Sequence, residues 1–240
     1  MKKKIQSFLS SPWIKGYWKI YYSLLNIVRF WVKNGKPEFE DVFSLECDDY
    51  VAPMTEASLP VTLLPKYDKH KQLAEKLGYN GIFAWKVKGG FALSYHAVRA
   101  GPCNKHFLDI DELNLKDEET ADCYVFWIPR IIPESLNKTS GQMRQLLDNL
   151  RDEYDLPEYH LCSFGDAELL GALILKHFQL TGEQVPLKYE QALTDTVTKD
   201  GKRVYLSFMP ARGLYVGIPA YNNFPYPIQG CFPISIETVH

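Results

Sequence analysis

The chain reads as an α+β protein: a largely antiparallel sheet built from hairpins, three to four helices packed on it, and an amphipathic N-terminal helix in front. Three observations predict this class. Strand-like runs flank turn signals, Lys88-Gly-Gly90 and Lys199-Asp-Gly-Lys202, and do not alternate with helices at βαβ spacing. The stretches 140–154 and 163–182 carry apolar residues at helical period between start and stop signals. Residues 11–35 form a separate amphipathic pattern, rich in aromatic and basic side chains.

That first segment opens on Ser11-Pro12, a cap followed by a first-turn proline, and stops at Asn34-Gly35. Lys15, Lys19, Tyr22, Asn26, Arg29 and Lys33 recur on one stripe. Trp13, Ile14, Tyr17, Tyr21, Leu24, Leu25, Val28, Trp31 and Val32 fall opposite. Residues 1–36 hold eight lysines and arginines and no acid, whereas the rest carries 19 basic against 29 acidic side chains. Lys15, Trp18, Lys19, Tyr22, Arg29 and Lys33 are therefore the residues expected to meet a protein partner or an anionic membrane surface. The structural alternative is a helix whose apolar face packs on the body. Lysines interrupt the apolar run and no cleavage site follows it, so neither a signal peptide nor a membrane span is expected.

Residues 36–240 are expected to form a single α+β domain, with two lobes dividing near 133–139 as the alternative. Pro37–Leu45 reads as a strand, and 51–64, with two prolines, as extended chain. Asp68 is placed to cap a helix running to Leu77 and closed by Gly78. Ile82–Val87 and Phe91–Ala100 read as a hairpin, and 106–110 as a further strand. Cys123–Ile132 is a strongly apolar strand that Pro129 assigns to an edge or bulge. Ser140 opens a helix with Met143, Leu146, Leu147, Leu150 and Tyr154 on one face. Ala192–Thr198 and Arg203–Met209 form a hairpin around Asp-Gly, Gly213–Pro219 adds a third strand, and the proline-rich tail from Tyr221 runs extended over the surface.

The helix after Ser163 and Asp166, both cap candidates, has Leu169, Leu170, Leu173, Ile174, His177, Phe178 and Leu180 on one broad face. Glu168, Lys176 and Gln179 make a narrow polar edge, and Gly182 supplies the stop. His177, at the centre of the apolar face, is a ligand-cavity candidate; its structural reading is a buried neutral histidine with one partner.

Several function classes are excluded by absence of their motifs. No phosphate-binding loop, dinucleotide fingerprint, His-Glu-x-x-His, Gly-x-Ser-x-Gly or EF-hand loop occurs. The acidic body rules against nucleic acid. Five scattered cysteines without a Cys-x-x-Cys pair indicate reduced thiols and a cytoplasmic setting. Cys103, His106, His160 and Cys162 lack the spacing of a known metal motif, and the carboxylates of Asp109, Asp111 and Glu112 read as a solvated turn, so neither metal nor cofactor is expected.

The leading functional expectation is a non-enzymatic interaction or adaptor protein, docking through residues 1–35, with oligomeric state left open. The alternative is a cysteine-dependent hydrolase or transferase. In that reading His160 and Cys162 share a strand face, Cys162 gains nucleophilicity at a helix N-terminus, and Asp166 orients the imidazole.

Overall fold

The computed structural model describes residues 50–89, 120–183, 185, 187, 190–209, 213–218 and 225–239. The expected N-terminal helix with its basic stripe, the strand at 37–45, the second hairpin arm at 91–100 and the strand at 106–110 lie outside them. Among the described residues the fold is α+β, with three α-helices and two four-stranded sheets.

The first sheet is antiparallel throughout, in the order β1 (Val51–Pro53), β2 (Ala84–Val87), β3 (Cys123–Trp127), β8 (Ile234–Thr238). Both edges of β2 are thus taken, by β1 and β3. β3 is an interior strand and not the expected edge, because it ends at Trp127, before Pro129 can remove a ladder donor. The second sheet runs β6 (Gly213–Gly217), β5 (Arg203–Met209), β4 (Gln191–Val197), β7 (Gln229–Gly230), with β7 parallel to β4. The β4–β5 hairpin forms about the Asp-Gly turn, with Gly201 at φ 80° and the Thr198 hydroxyl on the Asp200 carboxylate.

Helix α1 (Leu64–Lys76) begins four residues before the expected Asp68 cap. Pro65 falls in its first turn, where a missing N–H costs nothing. Helix α2 (Ser140–Glu153) is preceded by a reciprocal cap in which Thr139 accepts from the Gln142 N–H and the Gln142 side chain accepts from the Thr139 N–H. Helix α3 (Ala167–Thr181) ends on Gly182 at φ 69°.

Alternation in the first sheet separates two faces. Ala84, Phe126 and Ser235 look toward α1, whose His70 ring stacks on Phe126 with centroids 4.6 Å apart. Trp85, Val125, Trp127 and Ile234 point the other way, toward α3, where the His177 ring meets Trp127 edge-on. α3 also packs on β4 and β5 of the second sheet. It therefore lies between two sheets, and the expectation of helices packed on a single sheet is corrected accordingly. Its polar edge is buried as well: Glu168 and Lys176 are each 6% exposed, and Glu168 accepts from the Thr196 hydroxyl of β4.

The start of α3 is satisfied across that same contact. Asp166 stands at the N-cap position, but its side chain makes no cap hydrogen bond. The Ala167 N–H donates instead to Thr196 Oγ1 at 2.8 Å. The tail departs from its expected surface course too. It pairs in one sheet as β7, buries Cys231 and Phe232, and pairs in the other as β8.

Thr196→Val keeps the volume and removes the acceptor for a buried helix-start N–H. The variant is expected to lose about 1–3 kcal/mol of stability. Urea unfolding reads this as a lower midpoint at unchanged slope.

Candidate functional site

Two polar assemblies contain the histidines. The first joins α1, the turn before α3 and β8. His160 and His70 are fully buried, with His70 Nε2 3.0 Å from His160 Nδ1. The other nitrogen of His160 lies 2.5 Å from Glu237 Oε1. An ionised carboxylate only accepts, so His160 Nε2–H donates to Glu237, leaving Nδ1 to accept from His70 Nε2–H. Lys66 closes the chain, donating to Glu237 and to the Tyr159 hydroxyl at 2.6 Å.

The electrostatics follow from that order. Burial pushes His70 well below the usual histidine range, and the neighbouring His160 adds to it. Burial also lowers His160, against an opposing pull from the Glu237 carboxylate. At Glu237 burial works against ionisation, but the bonds from Lys66 and His160 outweigh it and keep the carboxyl below its ordinary value. This is a nearly sealed network in which each buried proton has an acceptor, and its single carboxylate is met by a lysine.

His160 and Cys162, expected on one strand face, lie instead in a turn, with Leu161 between them at φ 50°. The His160 imidazole is engaged on both nitrogens inside. Cys162 is exposed, and its thiol donates to the Tyr159 carbonyl at 2.9 Å. The carboxylate on the imidazole is Glu237, not Asp166. Nothing local in the sequence marks His70 or Glu237 as its partners, since they lie 90 and 77 residues away.

The second assembly is a cavity of about 490 Å³ at the C-terminal end of α3. Tyr79, Arg130, His177, Glu183 and Glu190 supply its polar wall. Leu77, Ile131 and Val185 belong to the apolar remainder. Tyr79 donates its hydroxyl proton to the Ile82 carbonyl at 3.0 Å, so it accepts from His177 Nε2–H at 3.1 Å. Burial raises the Tyr79 phenol to about 12, with the Glu183 charge adding to it. Burial lowers His177, partly offset by the backbone and charge of Glu183. The site thus presents a neutral imidazole and a neutral phenol beside two carboxylates and one guanidinium. Burial alone raises Glu190. Among the described residues no group of three or more His, Cys, Asp or Glu is arranged to hold a metal ion, and no helix is long and apolar enough to cross a membrane.

Neither protein-family models, nor curated proteins, nor solved structures give a match to the chain.

The sealed network makes stability sensitive to acid. The folded pKa values of His70 and His160 lie below the unfolded value of about 6.5. Above that pH neither state takes the proton and the full stability is present; below it the unfolded chain binds protons the folded chain refuses, and stability falls. Unfolding free energy measured at pH 7.5 and 5.5 is expected to drop by up to about 1.4 kcal/mol per pH unit for each proton. His70→Gln, which keeps a donor for His160 Nδ1, is expected to flatten that slope. Glu237 adds a further loss at lower pH, as its depressed carboxyl titrates.

Proposed function

We propose that this protein is a non-enzymatic binding protein that holds a small ligand in the cavity at His177 and attaches to an anionic membrane surface or a partner protein through residues 1–35. The observation that carries the reading is the cavity itself. It has the size of a small-molecule site, about 300–1,000 Å³, and combines an apolar wall with a few convergent polar groups. Two of those groups, Tyr79 and His177, are held in one orientation by their mutual hydrogen bond. A binding site needs such preorganisation.

The cysteine-dependent alternative has less support. An exposed thiol bonded to a backbone carbonyl and a buried imidazole bonded on both sides give each other no assistance. The cytoplasmic setting rests on the scattered cysteines, which include no Cys-x-x-Cys pair.

Saturation-transfer NMR of a fragment library on the full chain tests the cavity. Hits are expected to compete with one another, to shift the ring resonances of His177 and Tyr79, and to vanish in Glu183→Trp, which fills the mouth. Hits that leave those rings unmoved, or that survive the substitution, overturn the reading.

The attachment is tested on vesicles. The full chain is expected to co-sediment with phosphatidylserine-containing vesicles and to lose at least tenfold in affinity when Lys15, Lys19, Arg29 and Lys33 become glutamate. Equal binding to neutral phosphatidylcholine vesicles, or none to either, removes the membrane surface and leaves the partner protein.

A further inference from the structure

We propose that the cavity at His177 takes a small organic cation: an ammonium group on an apolar body, seated against Glu190. The proposal rests on the reading of that cavity as a ligand site and adds the chemical class of the ligand.

Among the described residues two carboxylates, Glu183 and Glu190, face the cavity, against a single guanidinium, Arg130. Arg130 is exposed and turns one nitrogen to the Leu77 carbonyl at 3.4 Å. It makes no ion pair with either carboxylate among the described residues. His177 offers no positive charge at neutral pH, because burial holds it neutral. Glu190 is thus a partly desolvated carboxylate, and its burial raises it.

The contrast with the other assembly is direct. Glu237, itself half-buried, receives Lys66 and a histidine N–H, which hold its carboxyl below the ordinary range. Among the described residues Glu190 has no such cation. A carboxylate that loses water without gaining a counter-charge is destabilised in its ionised form. An ammonium entering the cavity supplies the missing partner, and the Tyr79 ring adds a π-face for it. The apolar side groups of Leu77, Ile131 and Val185 then cover the ligand's body. An anionic ligand would meet two carboxylates with one exposed arginine to offset them, and a neutral one would leave Glu190 uncompensated.

Titration of the full-length protein with 2-phenylethylamine, 2-phenylethanol and phenylacetate, followed by the His177 and Tyr79 ring resonances, tests this. The ammonium is expected to bind at least tenfold more tightly than the alcohol, and phenylacetate more weakly than either. Glu190→Gln removes the charge at nearly constant shape and is expected to abolish the preference while the melting temperature stays unchanged or rises. If the alcohol or the carboxylate shifts the His177 resonances as strongly as the amine does, or if Glu190→Gln keeps the preference, the cation is overturned and the cavity stands. If none of the three moves those resonances, the cavity reading falls with it.

Discussion

The structure depends on one constraint: α3 is covered on both sides. A helix facing a single sheet keeps a solvent edge, whereas here β4 and β5 cover the side turned away from the first sheet. Once both faces are occupied, every polar group on the helix has to find an internal partner. Glu168 takes the Thr196 hydroxyl, the first N–H takes the same oxygen, and His177 takes Tyr79. The approach is equally constrained. Gly165 enters at φ 74°, with Ile234 so close that a Cβ would sit 3.0 Å from its methyl carbon. Just before it, the Phe164 N–H donates to Asp195, and the guanidinium groups of Arg144 and Arg203 hold that carboxylate while flanking the Phe164 ring at 4.7 and 5.3 Å. The tail completes the coupling by crossing from the second sheet to the first through buried Cys231 and Phe232.

What was legible in the sequence was whatever local chemistry determines. The start of α2, the Gly182 stop and the Asp-Gly hairpin each rest on a few adjacent residues, and each is where the pattern put it. What was not legible was long-range pairing. Periodicity shows that Cys123–Trp127 is an apolar strand, but not that β2 and β8, from far upstream and downstream, lie on either side of it. It shows a narrow polar edge on α3, but a second sheet decides that Glu168 and Lys176 are buried. The prolines of the tail suggested a surface strap. Pro233 instead precedes the first residue of β8, where a missing donor does no harm.

The histidines divide in the same way. The spacing placed His177 at the centre of an apolar face, and it is 3% exposed. The cavity beside it also takes residues from separate stretches, Tyr79, Pro129 to Ile131, and Glu183, Val185 and Glu190, which no helical pattern connects. His160 attracted notice for its nearness to Cys162 in sequence. One left-handed residue, Leu161, breaks the alternation on which that pairing relied. The partners it has instead come from α1 and the last strand.

Both assemblies put a carboxylate and a histidine where water is scarce, and the difference between them is charge balance. In the first, Lys66 and His160 converge on Glu237, and Tyr159 caps the lysine at the surface. Such a network is complete in itself: adding a ligand would remove a hydrogen bond for each one it made. In the second, the tyrosine–histidine bond satisfies two groups and leaves the carboxylates facing open volume. Preorganised neutral donors beside an unbalanced charge cost stability in the empty state, and that cost is recovered only by an occupant of opposite sign. The asymmetry between Glu237 and Glu190 among the described residues is therefore the physical ground for reading one histidine site as architecture and the other as a candidate for a ligand.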